Sequence, residues 1–144
     1  MILELSLIGI FVSGIYILIF NVFPGGIIVP VYISLYLTQP KRLFSTLLIA
    51  LLATIIFKYF SKKMILFGRR RFVFLIVLST FLSLFINNLL NDYYIGFSAY
   101  QSIGLLIPGL LANNMIKQGV LITFVSLFTV SIIIFFIFKA FFYL

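Results

Sequence analysis

The sequence predicts an all-α integral membrane protein, with about six hydrophobic segments arranged as two inverted repeats of three. Three observations carry this. Of 144 residues, 65% are hydrophobic and 8% charged, and the mean hydropathy is +1.36, far from the balance of a domain that folds in water. The bilayer is the solvent that suits such a chain. Next, the apolar runs follow one order twice: long, short and broken, long. Finally, the two short segments resemble each other. Gly104-Leu-Leu-Ile-Pro108-Gly109, continuing to Lys117-Gln118-Gly119, is echoed by Gly26-Ile-Ile-Val-Pro30, continuing to Gln39-Pro40. Each has a glycine, an apolar triplet, a proline, a short apolar stretch and a glutamine just before a helix breaker. Interrupted, undersized hydrophobic segments in corresponding halves point to a site inside the membrane.

In chain order, Met1 to Val22 reads as a first crossing, roughly 33 Å long as a helix. Glu4 stands where a signal peptide would carry positive charge, so a retained helix is expected. Gly9, Ser13 and Gly14 are small residues suited to close helix packing. Pro24-Gly25-Gly26 ends this helix. Ile27 to Leu37 follows with Pro30 near its start, and at roughly 17 Å it is about half the hydrocarbon thickness. It is therefore either re-entrant or completed by non-helical backbone, which that depth tolerates only where protein or a water-filled cavity satisfies it. Pro40 opens the next helix, Leu43 to Phe57. A polar stretch follows, with Lys58, Lys62, Lys63, Gly68, Arg69, Arg70 and Arg71. Phe72 to Leu90 is the fourth segment, and Asn91 to Gln101 a polar loop. The broken segment at 104–119 and a final crossing, Val120 to Phe138, complete the chain, with Lys139 beyond.

These segments form one transmembrane domain over residues 1–144, with halves at about 1–60 and 72–144 joined by the basic loop 58–71. The positive-inside rule makes that loop cytoplasmic. Three crossings per half invert the second half relative to the first. With six crossings both termini are external, and Lys117 is inside with the basic loop. Lys41, Arg42 and Lys139 then lie outside. Re-entrant short segments leave four or five crossings. The protein is expected in the bacterial cytoplasmic membrane as a multi-pass protein.

Catalytic parts are scarce. There are no cysteines or histidines and only two acids, Glu4 and Asp92, in different regions. No thiolate or metal site, activated serine or phosphate-binding loop is readable. No catalytic residue, metal or cofactor is assigned, and an enzyme is expected to be a partner. The net charge of +8 sits at helix ends and reports orientation, not nucleic-acid binding. Arg69, Arg70 and Arg71 suit anionic lipid head groups, an acidic cytoplasmic protein or an anionic substrate. Asn113 and Lys117, at i and i+4, are expected on one helix face, as a polar pathway lining or as an interfacial lysine at a helix end. The short helices' N-termini near Gly26 and Gly104 offer N–H groups to an anion.

Three blocks carry a family resemblance over nearly the whole chain. They are Gly26-Ile-Ile-Val-Pro30 with Gln39-Pro40; Lys58-Tyr59, Ser61-Lys62 and Met64 through Gly68-Arg69-Arg70-Arg71-Phe72; and Ile107-Pro108-Gly109 through Asn113, Lys117-Gln118-Gly119 and Ile122-Thr123-Phe124. In these the chain resembles the PgsC/CapC membrane subunits of bacterial poly-γ-glutamate (capsule) synthases. The resemblance implies a multispanning, non-catalytic subunit of a complex that makes and exports poly-γ-glutamate, a capsule polymer tied to virulence. The implied partners are a PgsB/CapB-like ATP-dependent amide ligase, a PgsA/CapA-like anchored extracytoplasmic subunit and the polymer chain; the basic residues add membrane lipids, and the small size of the chain adds further copies of itself. On this view the basic loop docks the ligase. Gly25, Gly26, Pro30, Gln39, Pro40, Gly104, Pro108, Gly109, Asn113, Lys117, Gln118 and Gly119 form the polymer path or its structural breaks. Alternatives are a non-conducting scaffold or activator of the ligase, and an independent small-anion transporter.

Overall fold

Where no proline or glycine interrupts an apolar run, the chain is helical. A computed structural model describes residues 2–62, 68–93 and 104–143. Among these are six helices and no strand: α1 (Ile2–Phe20), α2 (Val29–Leu35), α3 (Pro40–Phe60), α4 (Arg69–Tyr93), α5 (Ile107–Gln118) and α6 (Val120–Tyr143). Three stretches are long and apolar enough to cross a membrane, Pro40–Phe60, Arg69–Asn88 and Val120–Phe141, with a shorter apolar helix at Ser6–Phe20. Length thus supports three crossings directly, not six. At seven residues, α2 is shorter than its apolar run and rises only about 10 Å.

Helix ends follow local chemistry. Pro40 occupies the first turn of α3, where its missing N–H costs nothing. It also holds Gln39 in a non-helical conformation, φ −120° and ψ 75°, which separates α3 from α2. Two helices outrun their expected bounds. The arginines form the first turn of α4, which continues through Asn91, Asp92 and Tyr93. α6 runs past Lys139 to Tyr143. Neither extension contains glycine or proline, so nothing in the chain stops the hydrogen-bond ladder there.

The chain divides into two compact units, residues 1–38 with 114–144, and residues 39–113. In the first, α2 packs against α1 and α6, which also touch each other. Val31, Val130 and Ile134 form its buried centre, flanked by Val12, Tyr16, Leu35 and Phe138. α1 approaches α2 closely at Gly9, where a Cβ would lie 2.6 Å from a Val31 methyl. Ser13, one turn on, is buried and donates to the Gly9 carbonyl at 2.7 Å. Gly14 has open space around it, so the small-residue face of α1 is Gly9 and Ser13.

In the second unit α3 packs on α4. The Phe74 ring lies 6.1 Å from that of Phe57 and 6.3 Å from that of Phe60, joining the end of α3 to the start of α4. The first turn of α5 meets α4 at Gly109. A Cβ there would stand 2.5 Å from Ser79 Oγ, 2.9 Å from Ile76 Cα and 3.2 Å from the Leu75 carbonyl oxygen. Two of these are backbone atoms, which cannot rotate away. Gly109→Ala is therefore expected to destabilise the protein by about 1–3 kcal/mol, lowering the apparent Tm in detergent. Gly14→Ala should leave Tm unchanged or raise it, by up to about 1 kcal/mol of helix preference.

Candidate functional site

The two Pro/Gly breaks are built differently. In the first, Asn21 turns the chain out of α1 with φ 51°, its N–H still bonded to the Ile17 carbonyl at 2.8 Å. Gly25 and Gly26 follow at φ 79° and 107°, a left-handed pair that side-chain-bearing residues rarely adopt. Pro24 and Gly25 are buried. This leaves a bend of non-helical backbone between two apolar helices, where unpaired peptide groups are costly.

Gln118, in the last turn of α5, pairs that backbone. Its Oε1 accepts the Phe23 N–H at 3.0 Å, and its Nε2 donates to the Phe23 carbonyl. The same Nε2 donates to Thr123 Oγ1 at 3.1 Å, whose hydroxyl donates to the Gly119 carbonyl at 2.8 Å. One amide thus matches both peptide groups of Phe23, as a neighbouring strand would, and is itself held from α6. Asn114 lies close by: a Cβ on Gly26 would sit 3.9 Å from its Nδ2. Pro30, in the first turn of α2, is buried, and its carbonyl accepts from Ser131 of α6 at 3.3 Å. The chain turns from α5 into α6 at Gly119, φ 99°, whose N–H closes the last turn on the Met115 carbonyl at 3.0 Å.

The second break is simpler. Gly104 is exposed at φ 69°, and Leu105 and Leu106 lead into α5. Pro108 and Gly109 are buried in the first turn, with the Leu110 N–H closing on the Leu106 carbonyl at 3.1 Å. Asn113 is 6% exposed, and its Oδ1 has no hydrogen-bond partner among the described residues. Lys117 is exposed. The shared polar face expected of this pair is therefore divided, with one end inside the protein and the other outside it.

The two glutamines also part company. Gln39 is exposed and makes no side-chain cap to α3; its carbonyl accepts the N–H groups of Arg42 and Leu43 at 3.2 and 3.4 Å. Pro40 beside it is exposed. The basic residues gather where α3 ends and α4 begins. Lys58 lies in the last turn of α3, Lys62 in the turn after it, and Gly68 just before α4, all exposed. Arg69 and Arg70 are exposed, and Arg71 is half-buried. Lys63 falls outside the described residues.

Phe23 and Ser79 complete these contacts unannounced by the sequence, and Thr123, part of the third block, does so in a role the sequence did not assign. Phe23 acts through its backbone, which no residue type betrays. Thr123 and Ser79 are ordinary small polar residues until Gln118 and Gly109 are brought against them. Removing the amide tests the joint. Gln118→Leu should cost about 1 kcal/mol by leaving the Phe23 N–H without its acceptor, the Phe23 carbonyl keeping the Gly25 N–H at 2.8 Å, and Gln118→Glu should cost less, since it keeps the acceptor. Apparent Tm in detergent reads both.

Comparison with known proteins places this geometry. The family described as capsule biosynthesis CapC matches residues 8–124, a span holding both breaks and the basic stretch. The chain is 35% identical over 126 residues to the PGA biosynthesis protein CapC of Bacillus subtilis (strain 168), covering 87% of this chain and 85% of that protein. It is 32% identical over 104 residues to the capsule biosynthesis protein CapC of Bacillus anthracis, covering 72% and 70%. No solved structure matches it. With both breaks and the basic stretch inside the matched span, the chain belongs to the CapC family of capsule biosynthesis proteins.

Proposed function

We propose that this protein is a multi-pass subunit, in the bacterial cytoplasmic membrane, of a complex that synthesises and exports poly-γ-glutamate. It docks a cytoplasmic ATP-dependent amide ligase and helps move the anionic polymer outward. The carrying observation is the CapC family match over residues 8–124. The chemistry agrees with it. A chain with ten basic and two acidic residues, no histidine and no cysteine has little with which to make an amide bond and much with which to hold an anion. Lys58 and Lys62 lie exposed where α3 ends, available to an acidic face of the ligase. Lys117 is the exposed cation in the last turn of α5, on the route assigned to the polymer.

The inverted-repeat reading has its own support. α1 packs with α6 in one unit and α3 with α4 in the other. Exchanging the two halves of the sequence turns one pair into the other. Each unit therefore combines the first helix of one half with the last helix of the other half.

A second reading, a scaffold that anchors and activates the ligase without conducting polymer, is favoured by one observation. The polar groups at the first break are spent on the protein itself, with Gln118 on Phe23 and Ser131 on Pro30. Uptake of polymer into vesicles containing this protein, with and without the ligase, separates the two. Conduction requires uptake that depends on this chain, and a scaffold gives none.

Lys58→Ala combined with Lys62→Ala should release the ligase from the membrane fraction by about fivefold, the scale of two exposed ion pairs. Lys117→Ala should spare that attachment and lower external polymer. Full surface polymer in both variants would sink the proposal.

A further inference from the structure

The basic end of α4 joins charge to an exposed apolar strip. Arg69, Arg70, Val73, Phe74 and Val77 line an open groove of about 500 Å³. They recur at helical spacing, so they form one strip of α4, with charge at its top and apolar side chains along the next two turns. Val73 and Val77 are 58% and 61% exposed. Phe74, half-buried, is held from behind by the rings of Phe57 and Phe60. From Arg69 to Val77 the strip rises roughly 12 Å, close to the roughly 15 Å depth of one hydrocarbon leaflet.

The charges of this strip are uncompensated from within its own unit. A helix N-terminus already carries positive partial charge, yet the first turn of α4 adds three arginines and no acid. The unit's single acid, Asp92, is at the other end of the same helix, roughly 35 Å along its axis. An anion seated here would pair with the guanidinium forks and relieve their repulsion from the helix end. Because the strip lies at the start of Arg69–Asn88, a stretch long and apolar enough to cross a membrane, a cytoplasmic protein could cover only its arginine end. A phospholipid presents phosphate and acyl chain in the same order as the groove.

We infer that the groove at Arg69, Arg70, Val73, Phe74 and Val77 is a binding site for an anionic phospholipid, its phosphate on the arginine pair and one acyl chain along Val73 and Val77. The full-length protein in nanodiscs of equal phosphatidylglycerol and phosphatidylcholine, released and weighed by native mass spectrometry, tests this. Two arginines near a membrane surface should enrich retained phosphatidylglycerol by roughly tenfold or more. Arg69→Gln with Arg70→Gln should remove the preference. Val77→Phe, which fills the groove on an exposed face and keeps both charges, should reduce retention several-fold. Equal retention of the two lipids by the unaltered protein overturns the site, as does a preference that survives the double arginine change. Displacement of phosphatidylglycerol by excess inorganic phosphate would make it a simple phosphate site and overturn the lipid assignment. So would retention untouched by Val77→Phe, or arginine variants that lose the ligase while keeping the lipid preference.

Discussion

A bend of peptide backbone between two apolar helices has to find its hydrogen bonds inside the protein, and the first unit is arranged around meeting that demand. Asn21 to Ile28 interrupts a chain that is otherwise helical on both sides. Each peptide group there needs a partner, at about 1–3 kcal/mol for every one left without. Gln118 meets both groups of Phe23 at once. To do so it must stand at the end of α5, be steadied by Thr123, and be followed by a residue that can turn sharply into α6. Gly119, at φ 99°, is that residue. The Lys-Gln-Gly sequence is thus a mechanical part: a cation left outside, an amide turned inward and a hinge.

Hydroxyl chemistry bears on how a polyanion would meet this protein. Ser13, Thr46, Thr54, Ser83 and Thr123 each donate to the carbonyl four residues back in their own helix or turn. A hydroxyl whose proton is spent in this way presents mainly lone pairs, the wrong polarity for a carboxylate. These residues are therefore small packing surfaces that carry their own hydrogen bond. Favourable contacts to an anionic chain would fall to the lysines and arginines.

Much of this was legible in the sequence because proline and glycine act locally. Pro40 opens α3 as its place in the sequence suggests, whereas α1 stops at Phe20, where Asn21 turns at φ 51° ahead of Pro24-Gly25-Gly26. What was hidden is the choice of face. α1, α3 and α6 are apolar on every side, so no stripe marks the packed surface. Gly9 and Gly14 look alike in the sequence, and only the neighbouring Val31 distinguishes them. The same holds for Gln39 and Gln118. Both precede a helix breaker, but one has a bent backbone within reach and the other faces outward. The i, i+4 rule correctly aligned Asn113 with Lys117 along α5, but burial changes over that one turn.

The Gln118 joint also orders events during synthesis. Residues 39–113 form a unit contiguous in sequence, whose helices can pair as soon as they leave the ribosome and the insertion machinery. The other unit draws on residues 1–38 and 114–144, so α1 and α2 are synthesised long before α6 exists. Until then the peptide groups of Phe23 lack their amide, Pro30 lacks Ser131, and Val31 lacks Val130 and Ile134. The earliest part of the chain to be made is among the last to reach its final structure. Closing the larger loop adds little entropy cost, because that cost grows only with the logarithm of loop length; the penalty is waiting time. A newly made α1–α2 segment is an unfinished surface, and an assembly partner or a quality-control protease that reads exposed backbone would meet it in that interval.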